Sequence, residues 1–252
     1  MMFSICILLI SLSMAVCQYA CAQTRQASVI ISGQVTDFNG NAMAGASVFW
    51  QNESFDDVCS ATCDENGYYK ISVPCGRHYC ISAINMQEYP KSKELKVSSP
   101  DDMRLEFWGW NFIADHDTTL NIRYHRMEAY GVNVFSIQGA TPAYQIYVRP
   151  MSLTRTIEWT KNQTAEANLA PPADKLEVKV FIDGEEVDVL MKQAVKEYFC
   201  DTQTGTGFLI SVNKPDVRPT RPYSTFLIVL ADLENGDKGE AIYHYEHKDY
   251  MK

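Results

Sequence analysis

Alternation of apolar and polar side chains runs through most of this chain and constrains its fold more than any other feature. "SVIISGQVTD" repeats through Val29, Ile31, Gly33 and Val35, and "GASVFW" through Ala46, Val48 and Trp50. "GYYKISV" follows with Tyr69, Ile71 and Val73, and "YCISAI" with Tyr79, Ile81 and Ala83. A period of two marks strands with one buried face. Between the runs, "DFNGN" around Gly40 and "DENG" around Gly67 supply residues that accept positive φ or bond their own backbone, as tight turns require. The expected fold class is all-β, with no helix before residue 100 and a first sandwich over residues 28–98.

"SSPDD", residues 98–102, drops in apolar content and carries Pro100, so it reads as a linker to a second β-sandwich over 103–252. Further strands are expected in "RLEFWGWNF", "TTLNIRY", "GVNVFSIQG", "YQIYVRPMS", "RTIEW", "GFLISV", "YSTFLIVLAD" and "EAIYHYE". Asp183 and Gly184 centre a two-residue hairpin in "VKVFIDGEEVDVL", and "LADLENGDKGEAIYHY" reads as a hairpin with a longer tip. "DVLMKQAVKEYF" extends the strand alternation through Val187 and Val189 rather than forming a helix. The polar, proline-containing stretch 160–174 reads as a mobile connection. This half is expected to be immunoglobulin-like.

The amino terminus sets the compartment. Residues from Phe3 to Val16 are almost wholly apolar, and "ACA" at 20–22 supplies the small residues that a signal peptidase reads, so residues 1–22 are expected to be a signal peptide. The run is shorter than the roughly 20 residues that span a bilayer. The expected localisation is therefore secreted or periplasmic. The alternative is a lipid-anchored form modified at Cys17, the one route by which a membrane enters. Export leaves Cys59, Cys63, Cys75, Cys80 and Cys200 in an oxidising space. Their spacing departs from that of zinc sites and of Cys-x-x-Cys redox pairs. One or two disulfides are expected among the first four, with three connectivities open, and Cys200 is expected to be a buried small residue.

The segment "ISGQVTDFNGNAMAGASVFW" followed by "SATCDENGYYKISVPCGRHYCISA" resembles the carboxypeptidase regulatory-like domain, a transthyretin-like β-sandwich. Gly33, Val35, Asp37, Gly40, Gly45, Ala46 and Val48 carry the first part of the likeness, and Asp64, Gly67, Tyr69, Ile71, Val73, Pro74, Gly76 and Tyr79 the second. Ala42 stands where the family often has Pro, and Cys63 where Thr commonly precedes the Asp. The resemblance implies a fold for residues 28–98 and no chemistry. Within that sandwich Cys59, Ala61 and Cys63 share a face, Cys75 lies in a turn and Cys80 faces away from Tyr79 and Ile81. A Cys75–Cys80 or Cys63–Cys80 staple is the easier arrangement, contributing about 2 to 4 kcal/mol.

The formal net charge of −9, from 31 acidic and 22 basic side chains, opposes binding to phosphate backbones and excludes nucleic acid as a partner. Zinc peptidases adjoin such domains and use His-x-x-Glu with a distant His, a pattern that His125 and Glu128 match with His244 or His247. Residues three apart on a strand face opposite ways, however, and the chain lacks the βα alternation of that enzyme fold, so a metallopeptidase-related enzyme ranks third among the readings. No nucleophile elbow or phosphate loop is present, and neither a catalytic residue, a metal nor a cofactor is expected. Asp115, His116 and Asp117 read as a polar turn, and "HYEH" at 244–247 as a solvated terminal strand. The functional lead is "FWGWNF": alternation puts Trp108, Trp110 and Phe112 on one face and Phe107 on the other, a stacking platform if exposed. Arg123, Arg126 and Arg149 are candidate carboxylate binders. The expected function is a non-catalytic binding or assembly module for a glycan or protein partner. The alternative is a structural adaptor that pairs an open sheet edge with a companion protein.

Overall fold

The computed structural model describes residues 27–90, 100–137, 142–162, 164–215 and 219–247. The expected signal segment, Cys17 and the first part of the 98–102 linker lie outside the described residues. Pro100–Asp102 forms a 3-10 turn.

The fold is all-β. The first five strands are β1 (Ser28–Thr36), β2 (Ser47–Gln51), β3 (Asp57–Thr62), β4 (Tyr68–Pro74) and β5 (Gly76–Ile84). Next come β6 (Phe107–Ala114), β7 (Thr118–Thr119), β8 (Ile122–Arg123), β9 (Met127–Phe135) and β10 (Ala143–Ser152). A helix, α1 (Leu153–Asn162), precedes β11 (Leu176–Ile182), β12 (Glu185–Val187), β13 (Val189–Cys200), β14 (Gln203–Asn213), β15 (Tyr223–Asp232) and β16 (Lys238–Glu246). The hairpin at Asp183 and Gly184 is present, with φ of 52° and 92° at its two turn residues and Ile182 facing Glu185. Val189 does not prolong that hairpin, because the chain crosses at Asp188 into a different sheet, where β13 pairs with β14.

One eight-stranded sheet, ordered β12-β11-β15-β16-β6-β5-β2-β3, runs through the molecule. It carries strands from both sides of residues 98–102, because β6 pairs antiparallel with β5 and parallel with β16. β7 and β8 likewise lie parallel to β1. The two expected sandwiches thus share a layer. The sheet β4-β1-β7/β8 packs on one face through Ile31, Val35, Trp50, Ile81, Phe107 and Ile122. The sheet β13-β14-β10-β9 packs on the opposite face through Trp108, Val134, Ile146, Phe208, Phe226 and Ile228.

Gly33 illustrates how tightly the first sandwich closes: a Cβ built there would lie 1.9 Å from the carbonyl oxygen of Leu120.

Two local expectations are corrected. "RTIEW" lies in α1 and not in a strand, because Ser152 caps the helix by accepting the Arg155 N–H at 3.2 Å, and Asp237 accepts the Thr154 N–H at 2.9 Å. The stretch after the helix is tied down: Ala167 donates to the Thr204 carbonyl at 2.7 Å, Ser152 donates to the Leu169 carbonyl at 2.9 Å, and Ala167 and Ala170 are buried. No helix among the described residues is long and apolar enough to cross a membrane.

Candidate functional site

Aromatic side chains from β5, β6, β9 and β16 gather around one groove. Two bulges aim them. In β6, Asn111 takes φ of 52° and resets the alternation, so Phe112 joins Phe107 in the first core while Trp108 and Trp110 enter the second. The expectation that Phe112 shares a face with the two tryptophans is therefore wrong. In β9, Gly131 takes φ of 65°, and the register with β10 shifts between Tyr147 and Arg149, which turns Tyr130 towards the indoles. Opposite Asn111, β5 also breaks its alternation. Tyr79, expected to face inward with Ile81, instead meets Trp110 edge-on at 5.7 Å, while Cys80 packs on that same side and Ile81 on the other.

The resulting groove has a volume of about 600 Å³ and is lined by Tyr79, Trp110, Tyr130 and Tyr243 together with Asn52, Asn111 and Asn133. Trp108 and Trp110 are stacked, with centroids 5.2 Å apart and planes inclined at 18°. They are only 8% and 6% exposed, so they are no open platform, and of the two only Trp110 lines the groove. The accessible ring is Tyr79, 40% exposed. Among the described residues, the Trp108 and Trp110 indole N–H groups are buried without a hydrogen-bond partner. Asn111 is fixed by donating to the His244 carbonyl at 2.6 Å, and Tyr243 donates to Asn133 at 3.3 Å. Arg77 lies at the rim, ion-paired with Glu246, and Glu53 also contributes to the lining.

The three candidate arginines are engaged within the chain. Arg123 grips Glu240 through its backbone N–H, Nε and Nη2 at 2.9, 2.9 and 2.7 Å. Burial pushes the Glu240 carboxyl up, an effect that Arg123 opposes. Arg126 pairs with buried Asp237 at 3.1 Å. Arg149 pairs with Glu197 and lies over the rings of Tyr130 and Phe199, 5.5 and 4.9 Å from their centroids, which places it behind Tyr130 as a support.

Two of the polar residues weighed as an enzyme site have structural partners elsewhere in the chain. Glu128 accepts from the Tyr89 hydroxyl at 3.0 Å, whereas His244 accepts the Ile113 N–H at its Nδ1. His244 is buried, stacked on Tyr223 with the tilted ring of Phe112 also against it, so "HYEH" is not a solvated strand. Asp115, His116 and Asp117 lie at a bend between β6 and β7, where Asp115 accepts from Tyr223 and Asp117 accepts the Ile30 N–H.

The disulfides expected among Cys59, Cys63, Cys75 and Cys80 are absent among the described residues. Cys80 belongs to the core that contains Trp110 and Cys63 to the core that contains Trp50, so the central sheet separates them and a Cys63–Cys80 bridge would have to pass through it. Burial pushes the Cys63 thiol up to about 11 and the Cys80 thiol up to about 12. Cys200, expected inside, is exposed at the end of β13.

The long β13 edge is interrupted by register shifts near both ends, and Lys192 and Lys196 lie between them. Bulges and lysines of this kind discourage the addition of another strand.

No family model matches the chain. A 98-residue stretch is 32% identical to "Structural protein 27" of a virus, isolate Australia/Victoria, an alignment that covers 35% of this chain and 18% of that protein. Among solved structures, the major pilin subunit BcpA of Bacillus cereus aligns over 87% of this chain and 69% of its own, at 12% identity and a TM-score of 0.26. A DUF3823 family protein from Parabacteroides merdae aligns over 87% of this chain and 98% of its own, at 10% identity and a TM-score of 0.27. Overlap this loose leaves the aromatic groove to be interpreted from its own geometry.

Proposed function

We propose that this chain is a non-catalytic, exported binding module whose groove holds an uncharged glycan, with the first sandwich serving as a carboxypeptidase regulatory-like scaffold. The observation that carries the reading is the pairing of an accessible ring, Tyr79, with amide groups from Asn111 and Asn133 along one groove. Pyranose rings present apolar C–H faces to aromatic side chains and hydroxyls to amides, and this site offers both chemistries together. Engagement of Arg123, Arg126 and Arg149 by the chain's own carboxylates supports a neutral ligand over an acidic one. Strand pairing at β13 is the weaker reading, given the lysines and bulges on that edge.

Screening residues 23–252 on a glycan array, followed by calorimetry, tests the reading. Tyr79→Ala and Asn133→Ala should each weaken binding at least ten-fold while the chain keeps its strand circular-dichroism spectrum and a cooperative unfolding transition. Absence of any neutral glycan ligand, or binding that both substitutions leave intact, would sink it.

A further inference from the structure

The core-side face of β13 runs past the core. Between Met191 and Tyr198 its register with β14 is unbroken, so Lys192 lies directly across from Ile210 and Ala194 from Phe208, on the face those two residues turn into the second core. Phe208 and Ile210 are fully buried, yet Ala194, Lys196 and Tyr198 are exposed, the last at 74%. β13 therefore overhangs the β11 side of the central sheet as an apolar and basic ledge. Lys196 lies over the Tyr198 ring, 5.6 Å from its centroid, and Lys192 donates to the Leu176 carbonyl, partners that leave both charges in place.

At the other end of the same sheet, the β2–β3 turn carries the opposite combination. Phe55 is held at φ of 62°, the left-handed region that bulky residues rarely occupy, and is 42% exposed. Asn52 Oδ1 accepts the N–H groups of Ser54 and Asp56 at 2.9 and 3.0 Å, so the turn presents a preformed knob. Glu53, Asp56 and Asp57 are exposed beside it in sequence. Asp56 accepts from the Asn52 amide at 3.2 Å and Asp57 from the Gln51 amide at 2.9 Å, neutral partners that leave the carboxylates charged.

We propose that the Phe55 turn of one copy docks on the β13 ledge of a second copy, with Phe55 against Ala194 and Tyr198 and the carboxylates facing Lys192 and Lys196. Complementary charge points to this occupant, since the acidic aromatic knob and the basic apolar ledge belong to one chain. Six strand spacings of about 4.8 Å separate β3 from β11, so the two patches do not meet within a copy. The contact is therefore heterologous, and repeats as an open row or a closed ring. It joins side chains across a sheet face, so the bulges and lysines that discourage strand addition at β13 do not oppose it. The net charge of −9 does oppose it, but screening over about 8 Å at physiological salt confines that repulsion to short range.

Sedimentation velocity of residues 23–252, which include every described residue, tests the contact without any glycan. The wild type should sediment faster as its concentration rises, and high salt should weaken the effect. Glu53→Lys and Lys196→Glu should each weaken association at least ten-fold, with circular dichroism unchanged, and one chain carrying both should regain it because the charges are exchanged. Phe55→Gly, which suits positive φ, should also weaken association. Mixed with Lys196→Glu, it supplies one intact ledge to one intact knob, so the mixture should form a dimer that grows no further. A wild type that stays monomeric at every concentration would overturn the proposal, and so would association that these substitutions leave intact. Failure of the double variant to reassociate, or a mixture that stays monomeric or grows beyond a dimer, would equally reject these two patches as the contact.

Discussion

His244 replaces a backbone acceptor at the seam between the two halves of the central sheet: its Nδ1 accepts the Ile113 N–H at 2.9 Å. Parallel pairing of β16 with β6 runs from Ala241 opposite Trp108 to Tyr243 opposite Trp110, and the Asn111 bulge then carries β6 out of step. The imidazole and the Asn111 amide together satisfy the groups that the bulge leaves over. To do so His244 must be neutral, and burial pushes it down to about 4, with Asp115 and Asp183 opposing that shift.

Stability should therefore depend on this group between about pH 6.5 and 4. Over that range the unfolded chain binds a proton at residue 244 that the folded chain does not, so the contribution is complete above the unfolded value and declines as the pH falls. A displacement of this size corresponds to about 3 kcal/mol. Urea denaturation at several pH values should show a smaller loss across the window in His244→Asn than in the wild type. Equal pH profiles would show that the seam does not require a neutral ring.

Gly33→Ala should destabilise the first sandwich severely. The added methyl would meet the Leu120 carbonyl at 1.9 Å, a backbone group that cannot move aside without shifting the β7–β8 segment. Overpacking of this kind costs about 3 kcal/mol or more, measurable as a lower urea midpoint. Gly40→Ala is a useful comparison, since nothing lies within 4 Å of its added Cβ and its cost comes from positive φ alone.

Asp237→Ala should loosen α1. This buried carboxylate accepts from Ser152 Oγ at 2.6 Å, Thr154 N at 2.9 Å and Arg126 Nε at 3.1 Å, joining the helix start to the β15–β16 tip. Removing it takes away the carboxylate that faces a largely buried guanidinium and two of the helix-start donors, at a cost of about 3 kcal/mol. Calorimetric unfolding of Asp237→Ala and Asp237→Asn should rank the asparagine variant as the more stable, because it keeps an acceptor for the Thr154 N–H.

Thiol reactivity should follow burial. Cys200 is exposed, and hydrogen bonds from Thr202 hold its thiol below the ordinary range, whereas Cys63 and Cys80 are buried and raised. Ellman's reagent should modify Cys200 rapidly, and Cys200→Ser should abolish that fast phase. Cys63 and Cys80 should react only once the chain is unfolded in urea.

By itself the sequence determined the class of structure, because alternation in "SVIISGQVTD" or "YSTFLIVLAD" and the Asp183–Gly184 turn act over a few residues and admit only strands and hairpins. Which face each side chain reached was decided elsewhere. Single left-handed residues at Asn111 and Gly131 reverse the parity of everything beyond them, and no local pattern signals their conformation. Phe112 consequently changes sides, Tyr79 does so opposite Asn111, and Trp108 and Trp110 are buried as a stacked pair. The shared eight-stranded sheet was likewise beyond reach of the sequence, since pairing β6 with β16 joins strands more than a hundred residues apart, and only the packed structure specifies that register.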